Sequence, residues 1–198
     1  NKTGLVWESK SSEQVLPSSS GDQLSDELRD ALNNESYPYY RANDNYNAIN
    51  YRYFWHEPNN AINGGSEGSE GESFVDTNYP VSRNCAFPTV ESANYLGRGI
   101  NRCNTDTYKE AINLLALCGF KDFRLATIEE LRSIQSYQAD ERNADYFPNT
   151  ADGAYLSSTP SADGTGAVWC LSTSNNRVQL CNKQQPNYLR LVRGGLDD

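Results

Sequence analysis

The sequence predicts an α+β domain. Three observations lead there: a strand-like opening segment TGLVWE at 3–8, two stretches with apolar residues at helical spacing in the middle, and an alternation of short strands and turns from Tyr155 to Arg193. A chain of 198 residues has material for one good core rather than two, so 1–198 is read as a single domain. The strands are expected in small mixed or antiparallel sheets, with two to three helices and long loops between them.

Taken in order, TGLVWE is an entry strand whose Trp7 packs inward, and residues 9–21 are loop-like. SDELRDALNN at 25–34 reads as a short helix, with Ser25 as its cap and Leu24, Leu28, Ala31 and Leu32 at helical spacing. An Asn/Tyr-rich stretch follows, so that about 9–54 reads as an insertion on the domain surface. The next helix, over 105–117, is capped by Asn104 or Thr105 and carries Tyr108, Ala111, Ile112, Leu115 and Ala116 as its apolar stripe, with Gly119 as its stop. Thr127 followed three residues later by Glu130 is a capping box, and it starts a further helix bearing Ile128, Leu131 and Ile134.

Five cysteines point to an oxidising compartment with one thiol left over. Cys103 and Cys118 bracket a helix and would lie about 22 Å apart, far beyond the ~4.4–6.8 Å between disulfide-linked Cα atoms. Cys170 and Cys181 flank a hairpin with Ser174, Asn175 and Asn176 at its turn, which would bring them face to face across the ladder and predicts their bridge. Cys85 and Cys103 enclose a loop and form the second predicted pair, leaving Cys118 as a buried thiol acting as a small hydrophobe.

Charge and histidine content exclude whole classes of function. A net charge of −9 offers no basic excess for nucleic acid or an acidic membrane, although Arg177, Lys183, Arg190 and Arg193 gather positive charge near the end. No apolar run nears the ~18 residues that span a bilayer. The start at Asn1, without Met, leaves room for a signal peptide, an anchor or an upstream region. His56 is the single histidine, which argues against a histidine-rich metal centre and against a hydrolase triad, and there is no Gly-x-Ser-x-Gly elbow. The expectation is a protein that is not an enzyme.

Several motifs carry a resemblance. TGLVW at 3–7, YFWHEP at 53–58 with NGG at 63–65, CNT at 103–105, LCGF at 117–120, FRLATIEEL at 123–131, YLSS at 155–158, AVW at 167–169 and YLRLVRGG at 188–195 stand in a fixed order. The chain thereby resembles the Lcl C-terminal domain-like family, the domain that ends the Legionella collagen-like adhesin. Where that family has Trp and Pro, this chain has Phe123 and Ala126, keeping an aromatic plug while loosening the helix entry. The resemblance implies a C-type-lectin-like fold, related to that of formylglycine-generating enzymes, whose reactive cysteine pair this chain lacks. It also implies a secreted or bacterial-surface protein that binds a glycan or a host or neighbour-cell surface protein through loops, with homo-oligomerisation open and no membrane insertion by this chain.

In that fold the C-terminal strands and loops form the recognition surface. The resemblance therefore makes Asn175, Asn176, Arg177, Gln179, Asn182, Lys183, Gln184, Asn187 and Tyr188 the candidate ligand-binding residues. Tyr155 and Trp169 also fall there, with core packing as their competing role, and so do Ser157 and Ser158. No cofactor is required, but calcium is a competing reading. Glu57-Pro58-Asn59 copies the carbohydrate-ligand motif of calcium-dependent lectins, and Glu67, Glu70, Glu72 and Asp76 add carboxylates on a Gly/Ser-rich loop. In those lectins the motif follows the helices rather than preceding them, and the acidic loop reads equally as a solvated segment. A third reading is a structural or oligomerising end domain of a surface protein.

Overall fold

A computed structural model describes residues 4–11, 46–47, 49, 51–71, 85, 102–135, 147, 149–163 and 166–195. The helix expected at 25–34 lies outside the described residues, as does most of the stretch 9–54.

Six strands and two helices are described, in an α+β arrangement. β1 (Val6–Trp7), β2 (Arg124–Leu125) and β6 (Leu191–Arg193) form one antiparallel sheet in the order β1-β6-β2. Leu191 and Val192 are fully buried in its middle strand, which joins the first described segment of the chain to the last. β3 (Ala154–Pro160), β4 (Ala167–Ser172) and β5 (Arg177–Asn182) form a second antiparallel sheet in chain order, leaving β5 at an edge among the described residues. The segment Asn187–Tyr188 zips between Tyr53 and β3, exchanging backbone hydrogen bonds with Tyr53 on one side and with Ala154 and Leu156 on the other.

Helix α1 (Thr105–Leu115) starts at Asn104, whose side chain accepts from the Thr107 N–H while its amide donates to the Glu70 carbonyl. Tyr108, Ala111 and Ile112 bury its apolar stripe. The helix stops earlier than its sequence pattern: Ala116 turns left-handed at φ 53 and a tight turn, Leu117–Gly119, follows. Cys118 is consequently exposed, which corrects the expectation of a buried thiol. Helix α2 (Ile128–Ser133) opens with the complete capping box at Thr127 and Glu130. It lies on β3 and β4, packing Ile128 and Leu131 against Tyr155 and Leu171.

Both predicted disulfides are present, with Cα–Cα distances of 5.8 Å for Cys85–Cys103 and 6.0 Å for Cys170–Cys181. The second differs in register from the face-to-face arrangement. Ser172 and Arg177 close the hairpin, so Cys170 stands opposite Gln179 and Cys181 opposite Val168, and the bridge runs diagonally on one face.

The Trp55 region forms a packing centre of its own. Its ring is buried with the disulfide, Leu156 and Val168, and its indole N–H donates to the Ser157 carbonyl at 2.9 Å. Gly68 approaches so closely that a Cβ there would lie 2.2 Å from the Trp55 carbonyl oxygen, at a φ of +85° that already favours glycine.

Candidate functional site

Register decides what β5 presents. Residues directly opposite in an antiparallel ladder share a face, so Leu180 lies beside Trp169, and Val178 beside Leu171, on the side of the sheet that α2 covers. Helix α2 is only six residues long and reaches β3 and β4. Val178 and Leu180 on the edge strand are left 36% and 46% exposed. Between the helix and this strand runs an open groove of about 720 Å³, with Ile128, Trp169 and Val178 as its apolar surface.

The groove's rim is polar. Glu129 and Arg132 form an i,i+3 ion pair on the outer face of α2 at 3.3 Å, and both stay largely solvated. Across from them stand Asn176 and Arg177 of the hairpin, and the Gln135 side-chain amide donates to the Asn176 carbonyl, closing one end. Asn176 occupies the left-handed region at φ 54, a conformation that asparagine tolerates at a hairpin tip, while the Asn175 carboxamide oxygen accepts from the Arg177 N–H. Thr159 lines the opposite wall, and its hydroxyl accepts from the Ile128 N–H at 3.1 Å.

The residues singled out by sequence do not share one surface. Asn176 and Arg177 line the groove, with Asn175 in the same exposed turn. Gln179 is exposed on the other face of β5, opposite Cys170. Lys183 and Gln184 clasp the 57–68 loop. Lys183 is 1% exposed, its ammonium lies 4.1 Å from the Trp55 ring centroid, and it donates to the carbonyls of Asn63 and Ser66 at 2.7 and 2.8 Å. Burial lowers its pKa. Lys183 is therefore a strut within the fold, correcting its assignment to the exposed recognition surface. The Gln184 side-chain amide donates to the Gly68 carbonyl, and its backbone N–H donates to the Asn182 carboxamide oxygen. Asn187 and Tyr188 have their backbones tied into bridges, and the Tyr188 ring packs 5.6 Å from that of Tyr155. Tyr155 is buried, while Trp169 is half-buried and does both jobs, packing against the α2 cluster and flooring the groove. The Ser157 hydroxyl is buried and donates to the Trp169 carbonyl at 2.6 Å.

Among the described residues, no group of three or more His, Cys, Asp or Glu side chains converges as a metal site would require. Glu57 and Asn59 turn their oxygens onto their own loop: the Glu57 carboxylate accepts from the Asn59 N–H, and the Asn59 carboxamide from the Ala61 N–H, each at 3.0 Å. Glu70 pairs with Arg102 at 3.0 Å, Glu67 is exposed, and Glu72 and Asp76 lie outside the described residues.

Sequence reading missed the α2 half of the groove. Its signal was available in Glu129 and Arg132, which stand three apart on the polar side of a helix whose apolar positions are 128 and 131. The exposure of Val178 carried no such signal, because a valine alternating with polar residues reads as inward-facing on any strand.

No curated protein and no solved structure matches the chain. A family model for the Lcl C-terminal domain matches residues 1–193.

Proposed function

Because the chain belongs to the Lcl C-terminal domain family, we propose that this adhesin-related domain is an extracellular recognition module that acts by binding a surface partner, without chemistry. The scaffold is read as C-type-lectin-like, a reading supported by the two small antiparallel sheets, the few helices and the family membership. Two disulfides fit an oxidising, cell-surface setting, and no helix among the described residues is long and apolar enough to cross a membrane.

The groove between α2 and β5 carries the proposal. Of the two partner classes, a segment of a surface protein fits better than a glycan. Exposed Val178 and Leu180 sit on an edge strand that pairs with no further strand among the described residues. A polypeptide laid along that edge gains main-chain hydrogen bonds, while its alternate side chains meet Trp169 and Val178. Glu129, Arg132 and Arg177 then select among partners by charge more than they add affinity.

Attachment of the purified chain to cultured epithelial cells and to bacterial cells distinguishes the classes. Protease treatment of the cells is expected to abolish attachment and periodate oxidation of their glycans to leave it intact. The reverse pattern would make the ligand a glycan. Loss of attachment on addition of a chelator would favour the calcium-dependent lectin, and a stable oligomer with no attachment to either cell type would favour an assembly role.

A further inference from the structure

The open edge of β5 is defined down to single backbone groups. Lys183 and Gly166 extend the β4–β5 register one step beyond Asn182 and Ala167, and the Lys183 N–H donates to the Gly166 carbonyl at 2.9 Å. In an antiparallel ladder, residues that exchange hydrogen bonds with the neighbouring strand alternate with residues that do not. Arg177, Gln179 and Cys181 therefore bond to β4, while the N–H and C=O of Val178, Leu180 and Asn182 point away from it. The Asn182 carbonyl is taken by the Gln185 N–H. Val178 and Leu180 are left aiming their donors and acceptors off the sheet, with no partner among the described residues.

Nothing guards this edge. Natural edge strands are commonly shielded by a bulge, a proline or a lysine. β5 keeps an unbroken register with β4 and contains neither proline nor lysine. Its side chains add the chemistry: Val178 and Leu180 lie on the α2 side of the sheet, Gln179 on the other face, and Arg177 at the hairpin end. Glu129 and Arg132 neutralise each other across the groove, whereas the Arg177 guanidinium has no ion-pair partner among the described residues. The rim is thus locally positive. The chain's net charge of −9 acts from farther away, and at physiological ionic strength it is screened beyond ~8 Å.

With the groove as the recognition surface, a premise on which this assignment rests, we propose that its partner is an antiparallel strand that reads apolar, polar, apolar, acidic from its N-terminal side. The first apolar residue stands opposite Leu180 and the second opposite Val178, each exchanging both of its backbone hydrogen bonds. Opposite residues share a face, so both apolar side chains lie towards α2 beside Val178 and Leu180. The polar residue meets Gln179 and the carboxylate meets Arg177.

Amide hydrogen exchange of the full chain, followed by NMR with and without the capped peptide acetyl-Thr-Val-Thr-Val-Glu-Thr-amide, tests the assignment. In the free chain the Val178 and Leu180 amides are expected to exchange faster than those of Gln179 and Cys181. Saturating peptide should slow both. N-methylation of the two valines removes the donors that face β5 and should weaken binding by at least roughly tenfold, whereas N-methylation of the interior threonine and the glutamate, whose N–H groups face solvent, should spare it. Replacing the glutamate by lysine should weaken binding several-fold, and Arg177→Glu should reverse that preference. A peptide that leaves both amides unprotected, binding that tolerates methylated valines, or a lysine peptide bound as well as the glutamate peptide would each overturn the assignment. Should the peptide fail while Val178→Asp still abolishes cell attachment, the strand pairing is wrong and the groove stands; attachment indifferent to Val178→Asp would remove the premise as well.

Discussion

Glu8 gathers three donors, one close in sequence and two from distant parts of the chain: the Lys10 ammonium at 2.7 Å, the Tyr108 hydroxyl at 2.5 Å and the Leu191 N–H at 3.1 Å. All of it is buried. A buried carboxylate is tolerated only when its lone pairs are filled, and here the filling ties β1 to α1 and β6. Burial first, and then the Glu8 charge, hold the Tyr108 hydroxyl well above its ordinary value, which is about 10. The folded chain thus keeps a proton that the unfolded chain releases. Its stabilising effect is full below that ordinary value and drains away as pH rises through the folded one. Alkaline unfolding followed by circular dichroism should show that loss, and Tyr108→Phe should make it shallower. Lys183 gives a second residue-scale outcome. Lys183→Met keeps the stem but strands the Asn63 and Ser66 carbonyls, so chemical denaturation should report a loss of about 1–3 kcal/mol. Neither role was legible in the sequence, where Lys183 read as surface charge and Glu8 as the end of a strand. Burial of a charge depends here on partners far along the chain, Tyr108 and Leu191 for Glu8 and Asn63 and Ser66 for Lys183, and local pattern does not carry that information.

At the scale of elements, legibility followed how local the cause was. The α2 start was readable because Thr127 and Glu130 satisfy each other within one turn. Thr127→Ala should cost about 1 kcal/mol in denaturant unfolding. Glu130 adds a pH dependence: burial pushes its carboxyl up, but hydrogen bonds from Arg124 and Thr127 outweigh this and hold it below the ordinary value. That stability is present above the unfolded carboxylate pKa and is lost as pH falls through the folded one, so Glu130→Gln should flatten the acid limb of the melting profile. The hairpin was legible too, and its disulfide closes a short loop. Replacing Cys170 and Cys181 by Ala should destabilise the chain by about 3 kcal/mol. The end of α1 was not legible. Ala116 is a good helix former, and nothing in its chemistry announces a left-handed residue. The reason is tertiary: Asn113 clamps the N–H and carbonyl of Phe123 at 2.8 Å each, which turns the chain back before another helical turn can form. Cys118 is exposed as a result, and a maleimide should label one thiol per native, non-reduced chain.

For the whole molecule, the sequence carried the class and the family, while the site emerged only from juxtaposition. Asn176 and Arg177 belong to a hairpin, Glu129 and Arg132 to a helix more than forty residues earlier, and the groove exists because that helix is too short to cover the sheet to its edge. The central claim is that this groove is the recognition surface. Its most direct test is attachment of the purified chain to epithelial and bacterial cells for wild type, Arg177→Glu and Val178→Asp, with melting temperature measured in parallel. Both positions are exposed, so folding should be unchanged. The account predicts that each variant attaches at least tenfold less than wild type at an unchanged melting temperature. Attachment equal to wild type in both variants would contradict it.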